Sequence, residues 1–238
     1  VIEQTDGKYF DVLNLHAYPE VWSKRKAEDW KDVLEDLKAN RLMPRKPVWI
    51  TETGYDIVSR HQSEVQQARF LIRIMASMLR SGAPERIFWH ELRDVSSFIS
   101  RTVPTKTERR HFGILQCYTF LQKPFLRRPN PAYFAYASLI RALSQSFWNT
   151  PEITIDHDKE LSIQCFENAN SLVIILWNLY EQTNQVVTLR MPHKKRGRVI
   201  LQSMYGKQLN VESEKTDRQI VIKNITLSSN EPVIVEIM

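Results

Sequence analysis

Up to about residue 146 the chain alternates short apolar runs with stretches in which apolar residues recur every third or fourth position. Phe10-Asp-Val-Leu-Asn-Leu15 is nearly continuous in its apolar character, the mark of a strand covered on both faces. Trp30, Val33, Leu34 and Leu37 then follow a helical period. Pro44 and Pro47 break the chain ahead of a second strand, Pro47-Val-Trp-Ile-Thr51. The next helix announces its own start. Ser63 and Gln66 have capping-box spacing, and Val65, Ala68, Phe70, Leu71, Ile74, Met75 and Met78 supply a broad apolar face up to Ser81-Gly82. Arg86-Ile-Phe-Trp-His90 reads as a third strand and Asp94 to Arg110 as a long polar loop. A last helix follows Pro129-Asn-Pro131, with Tyr133, Tyr136, Ala137, Ile140 and Leu143 as its expected buried side.

Strand and helix in alternation imply parallel strands with helical crossovers. Three such units cannot close a barrel of eight strands, and alone they would leave bare edges. The missing strands are therefore expected from elsewhere. From Ile153 the pattern changes to short strand-like runs: 153–155, 161–165, 172–177, 186–191, 199–203, 219–223 and 233–238, separated by turn residues. That spacing is what an antiparallel sandwich produces. The expected fold class is α/β plus all-β: residues 1–146 a partial (β/α)8 barrel, residues 147–238 a small antiparallel β-sandwich.

Composition narrows the function classes. The 238 residues are 42% hydrophobic and 25% charged, with a net charge of +6, an ordinary globular balance. The basic residues are scattered apart from His193-Lys-Lys-Arg-Gly-Arg198, which lies between two strand-like segments and reads as a solvated turn. Neither nucleic acid nor membrane is an expected partner. No apolar run reaches the roughly 18 residues that span a bilayer, and the first residues do not resemble a signal peptide. Starting without methionine, close to a core strand, the chain reads as a piece of a longer protein, and secreted and cytoplasmic settings are not separated. Cys117 and Cys165 match no metal or redox spacing and are expected as buried thiols.

Polar and aromatic residues gather where the three predicted parallel strands end, which in parallel barrels is where functional groups cluster. Asn14, His16 and Tyr18 end the first strand. Thr51, Glu52, Thr53 and Tyr55 end the second, and Trp89, His90, Glu91, Arg93 and Asp94 the third. Leu13-Asn-Leu-His-Ala-Tyr-Pro19, Val48-Trp-Ile-Thr-Glu-Thr-Gly54 and Ile87-Phe-Trp-His-Glu-Leu-Arg-Asp94 resemble the sixth, seventh and eighth strands of clan A glycoside hydrolases, closest in character to families 5 and 39. Phe112-Gly-Ile-Leu115 through Ile140 resembles the approach to their eighth helix and that helix, and the β domain is similar to the sandwich many of them append. The likeness runs in order along nearly the whole chain.

The resemblance implies a retaining O-glycosidase acting on a β-linked glycoside by double displacement. It casts Glu52 as the nucleophile, Tyr18 as the group orienting it and His16 as facing sugar or carboxylate. Trp89 would floor the sugar subsite; Asn14 and Glu91 would contact substrate hydroxyls, although Glu91 paired with Arg93 is the weightier structural alternative. Retaining hydrolysis needs a second carboxyl about 5 Å away, which in this clan ends the fourth strand in an Asn-Glu pattern. Asn230-Glu231-Pro232 has those letters but follows Glu52 and directly precedes the last expected strand, so it is set aside. The acid/base is expected on a missing N-terminal segment, on the same precursor or another chain, and the isolated chain should be inactive. No metal constellation appears, and this chemistry requires no cofactor. The alternative is a non-catalytic carbohydrate-binding or scaffold protein that keeps a barrel remnant. Arg101, Lys106, Arg109, Arg110, Arg127 and Arg128 would suit an acidic sugar, but such a charged run more often lies in solvent. Asn224-Ile-Thr226 is a glycosylation sequon, relevant only in a secreted protein.

Overall fold

The computed structural model describes residues 10–21, 25–39, 46–57, 63–93, 112–116, 128–144, 146–148, 153–156, 160–179, 184–192 and 198–238. The 94–110 loop, most of the 193–198 run, Cys117, Arg101, Lys106, Arg109, Arg110 and Arg127 lie outside the described residues. In order along the chain come β1 (Leu13–Ala17), α1 (Asp29–Ala39), β2 (Val48–Thr53), α2 (Glu64–Arg80), β3 (Pro84–Trp89), β4 (Leu115–Gln116), β5 (Arg128–Pro129) and α3 (Pro131–Leu143). Then follow β6 (Phe147–Trp148), β7 (Thr154–Asp156), β8 (Leu161–Glu167), β9 (Leu172–Asn178), β10 (Gln185–Pro192), β11 (Val199–Ser203), β12 (Gln208–Leu209), β13 (Glu212–Lys215), β14 (Gln219–Leu227) and β15 (Val233–Ile237). The chain is a mixed α/β protein with several sheets and few helices. It divides into two compact units, Val1–Phe134 and Ala135–Met238, the division falling inside α3.

The first unit holds a sheet in the order β1-β2-β3, parallel throughout. Helix α2 begins as its sequence dictates. The Ser63 hydroxyl accepts from the Gln66 backbone N–H, and the Gln66 side chain accepts from the Ser63 N–H, so two orphan donors of the first turn are satisfied reciprocally. Its residues Gln67, Ala68 and Phe70 to Met78 are all buried. Strand β1 begins three residues later than the apolar run suggested, at Leu13, and its coverage is one-sided. Leu13, Leu15 and Ala17 alternate with exposed Asn14 and His16. The opposite expectation, a strand covered on both faces, came from reading Phe10 and Val12 as part of it.

That open face continues across the sheet. Trp49 pairs in register with Asn14, Arg86 lies 5.5 Å above the Trp49 ring, and Phe88, 46% exposed, is 6.4 Å from it. The other face, with Val48, Ile50 and Ala17, is buried.

The second unit contains two antiparallel sheets, ordered β13-β14-β10-β7 and β12-β11-β15-β9-β8-β6. They share one apolar core. Val187, Leu189, Met191, Ile220, Ile222, Ile225 and Leu227 come from one sheet, and Ile174, Leu176, Val199, Leu201, Val233, Val235 and Ile237 from the other. Strand alternation sends these residues inward while β13, Glu-Ser-Glu-Lys, is exposed along its whole length, a charged edge that discourages pairing with another chain.

Helix α3 buries a different side from the one its large residues suggested. Ala132, Ala135, Ser138, Leu139 and Ala142 are buried, while Tyr133, Phe134 and Ile140 are exposed. The small residues permit close packing: a β-carbon on Gly206, itself at φ 78°, would meet the Ser138 hydroxyl at 3.3 Å. No helix among the described residues is long and apolar enough to cross a membrane.

Candidate functional site

The carboxylate of Glu52 reaches the open face because β2 carries one extra residue. Leu13, Asn14 and Leu15 pair with Val48, Trp49 and Ile50, but His16 then pairs with Glu52, not Thr51. The partner on the other side shows the same shift, since Ile50 pairs with Ile87 and Thr53 with Trp89. In a regular strand successive side chains face opposite ways, so Glu52 would share the buried face of Val48 and Ile50. The bulge reverses the phase there and re-aims it. The burial sequence along β2 records the reversal, with Thr51 and Glu52 both partly exposed between buried Ile50 and buried Thr53.

Two groups from the end of β1 converge on a single oxygen of that carboxylate. The Tyr18 hydroxyl donates to Glu52 Oε2 at 2.8 Å, and His16 Nδ1 lies 3.3 Å from the same atom. Tyr18 is buried, whereas the Glu52 and His16 side chains keep 37% and 53% of their exposure. Burial above all, then donation to Glu52 and the negative charges of Glu52 and Glu91, holds the Tyr18 phenol protonated far above the usual tyrosine range. Tyr18 is therefore a permanent donor near neutral pH. Beside this trio the Thr51 hydroxyl donates to Asn14 Oδ1.

The third strand contributes through the residues that follow it. His90 N–H donates to Thr53 O at 2.7 Å, and the His90 ring lies 5.4 Å from Phe112 and 6.5 Å from Tyr18. Phe112 also meets Tyr18 edge-on at 5.7 Å, closing an aromatic wall around the phenol. The His90–Glu91 peptide is cis. Trp89 sits with its ring 6.2 Å from Phe70 of α2, and its indole N–H donates to Phe112 O at 3.2 Å. Gln67 of α2 donates to Phe112 O and to Tyr55 O.

The structure thus brings His16, Tyr18 and Glu52 into contact, sets Asn14 against Thr51, places Glu91 within charge reach of Tyr18, and puts Trp89 beside Phe70. His90 and Phe112 belong to the same cluster and were not singled out as site residues. Alternation along β3 carries a signal for His90, since Arg86, Phe88 and His90 occupy every second position. Phe112 belongs to no such alternation and carries none. Asn230-Glu231-Pro232 forms the turn into β15 in the second unit, with Glu231 N–H bonded to Ser228 O. Among the described residues no cluster of His, Cys, Asp and Glu is placed to hold a metal ion.

Gly54 shows how tightly the strand ends meet. A β-carbon there would lie 2.2 Å from the His90 carbonyl oxygen and 3.0 Å from the Phe112 ring. Gly54→Ala should therefore cost about 1–3 kcal/mol, as overpacking does, and displace His90. Thermal unfolding together with the His90 and Phe112 resonances in NMR spectra checks this; an unshifted spectrum at parental stability would contradict it.

A family model described as glycosyl hydrolase catalytic core matches residues 2–105. No curated protein sequence matches the chain. A family 39 glycoside hydrolase from Bacteroides cellulosilyticus WH2 superposes over 100% of this chain and 46% of its own, with a TM-score of 0.64 at 16% identity. A monomeric beta-xylosidase from Caulobacter crescentus CB15 matches 98% of this chain and 57% of its own (TM-score 0.54, 15% identity). The beta-porphyranase BpGH86A of family 86, from Bacteroides plebeius, matches 97% and 41% (0.55, 14%). The chain spans about half the length of these structures. It has a clan A glycoside-hydrolase-like fold.

Proposed function

We propose that the chain supplies the nucleophile half of a retaining glycoside hydrolase acting on a β-linked glycoside. Residues 1–146 are read as strands six to eight of a (β/α)8 barrel with their helices, and residues 147–238 as an appended β-sandwich. The remaining strands and the acid/base carboxyl are assigned to an N-terminal segment, on the same precursor or a partner chain. The open face of β1 to β3 supports this. Parallel sheets are ordinarily covered on both sides, and Trp49 and Phe88 lie where a closed barrel would bury them.

The observation that carries the reading is the convergence of Tyr18 and His16 on Glu52 Oε2, on a carboxylate that stays open to solvent. Fixing one oxygen restrains the rotation of the group and leaves Oε1 to react. In the first step that oxygen attacks the anomeric carbon as the C–O bond to the leaving group breaks, and the acid/base protonates the departing oxygen. The carboxylate's charge is consumed in forming the glycosyl ester. In the second step the acid/base takes a proton from water, which attacks the same carbon and releases Glu52. Tyr18, locked in its protonated form, orients Glu52 at the start and stabilises it as a leaving group at the end. Asn14, His16, His90 and Glu91 are assigned to sugar hydroxyls.

The test uses the longest polypeptide that contains this chain in its source, with the isolated chain as the expected inactive control. Proton NMR of the first-formed sugar should show retained β configuration. A panel of 2-fluoro β-glycosides with activated leaving groups should add one sugar to a peptide containing Glu52. Inversion of configuration, or an adduct on another carboxylate, overturns the assignment.

A further inference from the structure

Helix α2 presents Gln67, Phe70 and Arg73 at successive helical intervals, and each reaches a segment around the site. Gln67 holds the carbonyls of Tyr55 and Phe112, and Phe70 packs on Tyr55 at 5.1 Å and on Trp89. Arg73 turns to the chain that follows β1. Its side chain is only 8% exposed. Nε and Nη2 grip Glu28 at 2.7 and 2.8 Å, and Nη2 also reaches Glu20 Oε1 at 2.8 Å. Glu20 closes that segment on itself, accepting from the Ala27 N–H through the same Oε1 and donating its own N–H to Arg25 O. It adopts φ 63°, a left-handed conformation that costs energy in any residue with a β-carbon and persists where its surroundings hold it.

We propose that Arg73 is a positioning residue for the site: through Glu20 it latches the segment after Tyr18 onto α2, and so fixes the phenol against Glu52. The inference rests on Glu52 being the site carboxylate. Glu20 stands two residues beyond Tyr18, with Pro19 limiting the freedom between them. An apolar contact would brace helix and loop without the desolvation that buried ions require, but without direction. A planar guanidinium with two carboxylates fixes distance and angle together.

The latch can be read without turnover, from the ionisation of Tyr18 in this chain. The groups facing the phenol are Glu52, His16, Glu91, His90 and Phe112. Carbon-13 labelling at tyrosine Cζ, with Tyr18→Phe to assign the signal, follows the phenol through alkaline titration. In the parent Tyr18 should stay protonated beyond about pH 11, whereas in Glu20→Ala it should begin to ionise near about pH 10, the ordinary tyrosine value. Arg73 keeps Glu28 in that variant, so the fold is expected to hold, and Glu20→Ser, whose shorter side chain also falls short of Arg73, carries the same comparison if it does not. Glu20→Gln, which retains an oxygen for Ala27 and Arg73, should behave as the parent. A Tyr18 titration unchanged in Glu20→Ala and Glu20→Ser, with only the melting temperature lowered, reduces the network to a brace and overturns the proposal. Absence of turnover with the Tyr18 shift intact would instead count against the glycosidase reading alone.

Discussion

Replacing Glu52 by Gln should lower turnover of the barrel-complete protein by about 10⁴-fold or more, on the scale of losses seen when a nucleophile is removed. The two side chains differ little in volume, and the Gln amide can still present an oxygen to Tyr18. What changes is that no anionic oxygen remains to attack the anomeric carbon. The Tyr18 and His16 contacts both fall on Oε2, so an amide can satisfy them with its oxygen in that place and its nitrogen outward. Substrate binding should therefore survive while the chemical step collapses, a fall in kcat with KM nearly unchanged. Steady-state kinetics on an activated aryl β-glycoside checks this. Turnover within about tenfold of the parent would remove Glu52 from the nucleophile role, and intact ligand binding by a parent that never turns over would favour a carbohydrate-binding protein.

Arg73→Met should destabilise this chain by about 3 kcal/mol, the lower end of the range for breaking a buried ion pair from one side. Methionine fills much of the same space, so the loss is not chiefly a cavity. It comes from stranding two carboxylates, Glu20 and Glu28, against α2 without their shared cation. Their side chains retain 25% and 17% of their exposure, which admits some water and keeps the figure from rising further. Denaturant unfolding measures it. The triple replacement of Arg73, Glu20 and Glu28 by apolar residues should recover much of the loss, because no unpaired charge is then left. A single variant as stable as the parent would show that solvent already screens the cluster.

Several elements could be read from the chain because their signals are local. Ser63 and Gln66 define the start of α2 through atoms three residues apart, and the structure makes both bonds. The Glu52 position followed from strand ends and from resemblance. What places it on the open face and holds it there is non-local: a register shift between β1 and β2, and a phenol brought from 34 residues away. Helix α3 misled because size was taken as a proxy for burial. Ala132, Ala135, Ala142 and Ser138 go inward, Ser138 against the Gly206 turn where only a small side chain fits, while Ala137, Tyr133 and Phe134 remain outside. Phe112 could not be anticipated as a site residue, because no local pattern ties it to Tyr18 and His90, both distant from it in sequence. The Glu20–Arg73–Glu28 network was hidden for a related reason, as opposite charges far apart in sequence are ubiquitous and only the fold selects which of them meet.

The bulge in β2 makes the identity of the site carboxylate depend on counting. Removing Thr51 would place the glutamate directly after Ile50, where ordinary alternation already sets it on the open face beside His16, so a strand one residue shorter needs no bulge to present the same carboxylate. A strand of the present length drawn out without the bulge would instead turn that side chain toward the layer where Val48 and Ile50 lie, a charge facing oil. Chains of either length can therefore carry the same carboxylate, and an alignment that counts from the strand's proline instead of matching faces would set Thr51 against it.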